Sequence, residues 1–405
     1  MCKITRRFAG SLKSPYAVAC KHMSEPLKKW ANEVAALLGP EISIDLNLCW
    51  PHPKFKYPEY PRLPTEEDQN PALYLKTLIA GPTDDEVVLF PSLEGLLRSS
   101  LGFFKKNLLS GSQGLPFLVC LSPPSPALFE IAREQKFEIF FLPKDPEHWP
   151  DAWASLRSMN AKSVFFLSHP NAGDGFGFPP IFLVQLVDAI AREFPDCPLM
   201  IDETLALFSF EAFPPGRVLD IPKDNPIRNS LFQINSVYPG MAPTGPEVAW
   251  IRWSRNTRWN RVFFPAEVLD IDSARIAARA MLAFSSRQGP AVSEFHRRML
   301  GVQRGLKGLS DALVPYVHTK KIRVPYWPTQ GFTLHFELNL NNPTLSKKHS
   351  TVRSFALELA RDFRILVIPG DLFGSPSGIQ ICYASPLALV EKASERLRRA
   401  FEAML

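Results

Sequence analysis

Residues 162–211 read KSVFFLSHPNAGDGFGFPPIFLVQLVDAIAREFPDCPLMIDETLALFSFE, and they decide the fold. Val164 to Leu167 is a continuous apolar run of buried-strand length, closed by a turn rich in Pro, Asn, Gly and Asp. From Ile181 to Ile190, apolar residues recur at positions 183, 186, 187 and 190, which is the spacing of a helix face. A break at Pro195, Asp196 and Pro198 leads into Leu199, Met200 and Ile201, and this second strand ends on the acids Asp202 and Glu203. Strand, helix and strand in that order predict a βαβ unit with parallel strands. Open α/β sheets bind ligands outside the carboxyl ends of their strands, so the two acids face a candidate site.

The rest of the chain sets bounds on this site. With 405 residues and 46% hydrophobic content, the chain can bury a large core and hold two or more domains. Six cysteines, at positions 2, 20, 49, 120, 197 and 382, form no CxxC or other metal spacing. Scattered thiols of this kind suggest a reducing, cytoplasmic setting and buried small side chains, and no metal site is predicted. No apolar run approaches the roughly 18 to 20 residues of a membrane span, and a signal-peptide core is absent from the N-terminus. Residues 1–24 carry Lys3, Arg6, Arg7, Lys13 and Lys21 with no acid; they read as a basic tail, with an organelle transit segment as the alternative.

The formal charge of +6 permits anionic ligands without demanding nucleic acid. Trp250 to Arg261, WIRWSRNTRWNR, interleaves Arg252, Arg255, Arg258 and Arg261 with Trp250, Trp253 and Trp259. Such interleaving can bind single strands, but a solvated or subunit-facing edge with arginine stacked on tryptophan is the preferred reading. Neither nucleic acid nor membrane is an expected partner. No GxSxG or HExxH occurs, and Gly173, Gly175 and Gly177 do not form a dinucleotide loop.

In chain order, an amphipathic helix is expected over Glu25 to Leu38, then an entry segment Ile42 to Pro51 and a proline-rich arm over 51–71. Val87 to Phe90 reads as the next strand, followed by a helix for which Ser92 is a plausible N-cap. Phe117 to Leu121 is another strand, and Leu231 to Trp253 reads as strand, loop and return strand.

The strand, HPNAGDGF turn, helix and IDETLALF strand resemble the core of the class I/II aminotransferases, the aspartate-aminotransferase-like fold-type-I family of pyridoxal-phosphate (PLP) enzymes, where NPNNPTG is followed by DEAY. Ile44-Asp45-Leu46-Asn47 with Pro51 resembles the family's entry segment, and Gly331 to Leu334 its GGFF strand. Phe355 to Met404 resembles the family's ending almost element by element. The resemblance implies an α/β fold: a three-layer αβα large domain with a mostly parallel sheet, plus a smaller α+β domain built from the chain termini. It places an N-terminal helix and arm at 1–71, the large domain at 72–265 and the small domain at 266–405. It further implies a homodimer, or a heterodimer with a related subunit, and a small amino-acid-like ligand.

Carried over residue by residue, the family's polar contacts are largely replaced. Asp202 stands at the acid that keeps the pyridine nitrogen protonated, and Leu205 at the ring-hydroxyl tyrosine. Asn171 lies one position before the cofactor-contacting asparagine, whose place Ala172 to Gly175 takes. Ser92 remains at the phosphate-cradling helix start, where Phe90-Pro91 replaces glycine and Glu94 adds like charge. Ser125 stands in the turn where the family stacks an aromatic on the ring, with Phe129 one helical turn away. Gln380 occupies the position of the arginine that clamps the substrate carboxylate.

The largest departure is at the Schiff-base lysine. Aligning Gly245 on the family glycine puts Pro239 at the lysine, Glu247 at the phosphate-binding arginine and Ala249 at the next glycine; a shift of two puts Val237 at the lysine. Lysine is absent between Lys223 and Lys307, and histidine between His169 and His296. Transamination needs an amine to hold PLP as an imine and to move the α-proton, and neither is supplied at the expected place. No catalytic residue is therefore predicted, and the residues themselves call for no cofactor, while PLP is the cofactor the resemblance implies. Two functions stay open: a non-catalytic binding or partner subunit, and an enzyme of this fold, transaminase-like or turning the pocket to other chemistry on an amino-acid-like ligand, that holds PLP non-covalently or through a lysine from elsewhere. Pro239, Leu205 and Phe90 are expected to close part of the cofactor space.

Overall fold

The computed structural model describes residues 25–38, 46–47, 60, 62–81, 85–108, 116–159, 162–208, 226–237, 247–255, 268–285 and 290–405. The basic segment 1–24, most of the entry segment, residues 51–59 and 61 of the proline-rich arm, and Lys223, Pro239, Arg258, Trp259 and Arg261 lie outside the described residues. The chain divides into two units. The larger comprises Pro58–Ser293 and Pro328–Gly331, and the smaller comprises Glu294–Trp327, Phe332–Leu405 and the residues before Pro58.

In chain order the described elements begin with α1 (Glu25–Leu38) and β1 (Leu46–Asn47). There follow α2 (Thr65–Gln69), α3 (Pro71–Ala80), β2 (Glu86–Phe90), α4 (Leu93–Leu108), β3 (Phe117–Leu121), α5 (Pro126–Glu134), β4 (Glu138–Leu142) and α6 (Trp149–Ser158). Next come β5 (Ser163–Ser168), α7 (Pro180–Glu193), β6 (Leu199–Asp202), β7 (Leu231–Ser236), β8 (Ala249–Trp253), α8 (Ile271–Ser285) and α9 (Pro290–His318). The rest is β9 (Ile322–Arg323), β10 (Thr333–Leu338), α10 (Pro343–Lys348), α11 (Val352–Phe363), β11 (Ile365–Leu366), β12 (Ile368–Pro369), β13 (Gly378–Cys382) and α12 (Leu387–Met404).

Seven strands of the larger unit form one sheet in the order β2-β8-β7-β6-β5-β3-β4. β4, β3, β5, β6 and β7 run parallel, while β8 is antiparallel to both its neighbours. The opening stretch becomes β5, α7 and β6, with Phe165 opposite Leu199 and Ser168 opposite Asp202. All six residues of β5 are buried, as a strand covered on both faces requires.

The strand's period of two sorts its residues between two cores. Val164 and Phe166 pack with Leu97, Leu101 and Phe104 of α4 and Leu128 and Ile131 of α5. Phe165 and Leu167 pack with Trp153 and Leu156 of α6 and Leu183, Leu186 and Ile190 of α7. Helix, sheet and helix therefore make three layers. At the β2 edge, Val87, Leu89 and Trp250 meet Leu75 and Ile79 of α3 and Ala277, Ala278 and Ala280 of α8.

In the smaller unit, β12-β13-β10-β9 form an antiparallel sheet and β1 pairs parallel with β11. Helix α1 is amphipathic, with Leu27, Trp30 and Val34 buried. Trp30 donates its indole N–H to the Val367 carbonyl at 2.8 Å, and the Arg353 guanidinium lies 5.2 Å from the Trp30 ring centroid. No helix among the described residues is long and apolar enough to cross a membrane.

Candidate functional site

The carboxyl ends of β3, β5 and β6 meet at a small crevice. Its geometry follows from register, because pairing Ser168 with Asp202 brings a hydroxyl and a carboxylate side by side at the strand ends. Asp202 is buried, and its Oδ1 accepts both the backbone N–H of Thr204, at 3.0 Å, and the Thr204 hydroxyl. Ser168 Oγ lies 3.3 Å from Asp202 Oδ2 and 3.1 Å from the Pro170 carbonyl, and accepts the Ala172 N–H at 3.2 Å. Burial pushes the Asp202 carboxyl above its ordinary value, against the hydrogen bonds from Thr204 and Ser168. Glu203 is engaged as well, accepting from the Gln233 side chain on β7. The acid pair that closes β6 thus spends its oxygens on the chain itself.

The HPNAGDGF turn folds over the end of β3. Asn171 donates to the Pro123 carbonyl at 3.0 Å and to Asp174 Oδ1 at 2.8 Å. Gly173 rides so close to the same carbonyl that a Cβ there would lie 1.9 Å from it, and Gly175 has φ of +71°, so both positions require glycine. Asp174 forms a fully buried ion pair with Lys144, whose ammonium sits 5.1 Å from the Phe176 ring centroid. Burial drives the Lys144 pKa down, and the adjacent Asp174 carboxylate opposes that shift. Sequence reasoning passed over Lys144, although a lysine directly after the apolar strand FEIFFLP was a signal for it.

The start of α4 is where the family resemblance puts an anion. Ser92 caps the helix: its hydroxyl accepts the Gly95 N–H at 3.0 Å and its carbonyl the Leu96 N–H at 3.1 Å. Glu247, just before β8, places Oε1 3.1 Å from the Leu93 backbone nitrogen and accepts its N–H. A carboxylate at a helix N-terminus is favoured by the free N–H groups and by the helix dipole. The seat therefore holds an anion supplied by the protein.

Other sequence-singled residues take structural positions. Ser125 caps α5, accepting the Leu128 N–H at 3.2 Å, and Phe129 carries the Arg133 guanidinium 5.8 Å from its ring centroid. Val237 is fully buried with Val248 and Trp250. Gln380 is buried on β13 of the smaller unit, directly opposite His335 on β10. Trp250 and Trp253 are core residues, and Arg252 and Arg255 pair with Asp85 and Glu86 at 2.6 and 2.7 Å. This half of the Trp/Arg motif lies on and just after β8, the strand between β2 and β7, with its arginines paired to acids at the start of β2.

The crevice beside Asp202 encloses about 10 Å³, lined by Cys120, Ser125, Leu128, Ser168 and Asn171 among others. That is room for about one water, against roughly 300 to 1,000 Å³ for a small-molecule site. Phe90 is not among the residues lining this crevice; it is buried in the core with Leu96, Leu97 and Phe104, while Leu205 lies against Gly331. Burial pushes the Cys120 thiol up to about 12, so it stays protonated and unreactive at neutral pH. Among the described residues, this crevice is narrow, Asp202 is already hydrogen-bonded, and the separate anion seat at the start of α4 carries the Glu247 carboxylate.

No protein-family model matches the chain. A stretch of 50 residues is 46% identical to the aspartate aminotransferase of Bacillus sp. (strain YM-2), spanning 12% of this chain and 13% of that enzyme. Likeness in structure is far broader. The aspartate aminotransferase of Thermus thermophilus with maleate superposes with a TM-score of 0.66 at 13% identity, over 95% of this chain and 98% of that one. The aspartate aminotransferase from Rhizobium meliloti gives 0.64 at 15% identity, over 95% and 97%. At such identities the likeness speaks to architecture, and the chain has the aspartate-aminotransferase-like fold of the fold-type-I PLP-dependent enzymes.

Proposed function

We propose that this chain is a non-catalytic protein of the aminotransferase fold, a pseudo-aminotransferase of the cytoplasm that acts as a binding or partner subunit, as a homodimer or paired with a related chain. The observation that carries the proposal is the Glu247 carboxylate on the Leu93 N–H. It puts a fixed negative charge where a phosphate dianion would need neutralising, and a second anion there is repelled. The sequence adds the missing amine, since no lysine occurs between Lys223 and Lys307.

Equilibrium dialysis against PLP, with an assay for amino-group transfer from a panel of α-amino acids to 2-oxoglutarate, tests this. Neither stoichiometric uptake nor turnover is expected. Turnover proportional to protein concentration would refute the proposal.

One observation favours a second function, an enzyme of this fold that reaches PLP through a lysine from elsewhere and acts on an amino-acid-like ligand. Lys144 is a buried amine whose pKa is lowered by burial, and its partner Asp174 shares a hydrogen bond with Asn171 at the crevice. Its buried ion pair with Asp174 engages that amine, which is why the non-catalytic function ranks first.

A further inference from the structure

We propose that the smaller unit carries a binding site for a small organic phosphate monoester, in a cleft of about 550 Å³ between α9 and the loop that opens α12. The site is built only from smaller-unit residues and shares none with the crevice beside Asp202. It stands whether or not the chain is catalytic.

Four features converge on a dianion. Arg297, Arg298 and Arg304 of α9 line the cleft. Arg297 and Arg298 share one carboxylate, Glu294, with N–O distances of 2.7 and 2.6 Å, and Arg304 makes no ion pair or hydrogen bond among the described residues. Three guanidiniums on one helix face, two of them sharing Glu294, give the cleft a positive character that suits the dianion of a phosphate monoester.

The second feature is the N-terminus of α12, which opens onto the same cleft at Pro386 and Leu387. Among the described residues no side chain caps it, and its first turn holds no acid. The first backbone bonds run from Leu389 and Val390 to the Pro386 carbonyl, so the N–H groups of Leu387 and Ala388 precede the helical ladder.

Ser385 is the third feature and the one that points to a ligand. It lines the cleft, is 3% exposed, and its hydroxyl is buried without a hydrogen-bond partner among the described residues. Buried hydroxyls are nearly always satisfied, and a phosphate oxygen would accept from this one. Finally, Leu300 is 58% exposed and lines the cleft with Leu387, offering apolar contact to the organic part of an ester. A carboxylate monoanion would offer this positive cleft half the charge of a phosphate dianion.

Calorimetric titration of the full chain with phenyl phosphate, inorganic phosphate and acetate, at constant ionic strength, tests the site. Phenyl phosphate is expected to bind saturably at one equivalent and acetate at least about tenfold more weakly. Arg304→Gln is expected to weaken phenyl phosphate about tenfold and Ser385→Ala by about fivefold. Arg304 is exposed and without an ion pair among the described residues, and Ser385→Ala removes an unsatisfied hydroxyl, so both variants should unfold at the parent's urea midpoint. Tighter binding of phenyl phosphate than of inorganic phosphate assigns the organic ester. Equal binding of the two, no saturable binding of either, or binding that neither substitution alters would overturn the proposal.

Discussion

Glu247 reaches across 154 positions of sequence to accept the backbone N–H of Leu93 at 3.1 Å, and so supplies from within the chain the negative charge that the start of α4 favours. Removing that carboxylate leaves an orphan donor at the helix start. Glu247→Ala is expected to cost about 1 kcal/mol by the usual worth of a helix cap, read as a lower urea midpoint with an unchanged slope. Sulfate should restore part of the loss in the variant and less in the parent, because the emptied seat accepts an outside anion.

Asp202 gives a pH signature with a definite sign. Its folded pKa is raised by burial above the ordinary carboxylate value. Its contribution is therefore fully favourable below the unfolded pKa and is lost as pH rises through the folded one. Asp202→Asn keeps an acceptor for the Thr204 N–H and cannot ionise. Relative to the parent, the variant should gain stability as pH is raised from the ordinary carboxylate range towards neutrality, as checked by urea unfolding at a series of pH values. A gap that is constant with pH would contradict the assignment.

The buried pair Lys144–Asp174 should behave as a unit. Lys144→Met leaves the Asp174 carboxylate uncompensated and is expected to cost about 3 to 5 kcal/mol. Adding Asp174→Asn, which keeps an oxygen for Asn171 and the Phe176 N–H, should recover much of that loss. A double-mutant cycle in urea measures the coupling.

The Trp/Arg motif separates core from surface. Trp253 is buried against Phe232, so Trp253→Ala is expected to cost about 3 to 5 kcal/mol. Arg255 is 62% exposed in its pair with Glu86, so Arg255→Ala should change stability by less than about 0.5 kcal/mol. Neither change should alter retention on immobilised single-stranded DNA, because Arg252 and Arg255 are committed to Asp85 and Glu86.

What was legible in the chain was whatever periodicity and turn chemistry write locally. Val164 to Leu167, the 183/186/187/190 stripe and Leu199 to Ile201 each announce their element, and together they force a parallel pair with Asp202 at its carboxyl end. The Ser92 cap was visible from residue type and place.

The contacts that define the crevice were not visible, because their partners come from other elements. Lys144 and Asp174 stand 30 positions apart and meet only because β4 and β5 flank β3 in the sheet. Glu247 aligns with the family's phosphate-binding arginine, and its seat on Leu93 depends on β2 pairing with β8. The closure expected of Phe90 failed for a local reason: its position in β2 turns it into the core beneath α4.

The central claim is that no side chain of this protein tethers PLP. It is tested most directly by incubating the full chain with PLP, scanning for the visible imine band, reducing with borohydride and mapping any adduct by peptide mass spectrometry. The account predicts no band and no stoichiometric adduct. One equivalent of reduced pyridoxyl group on a single lysine, with Lys144 the first to inspect, would contradict it.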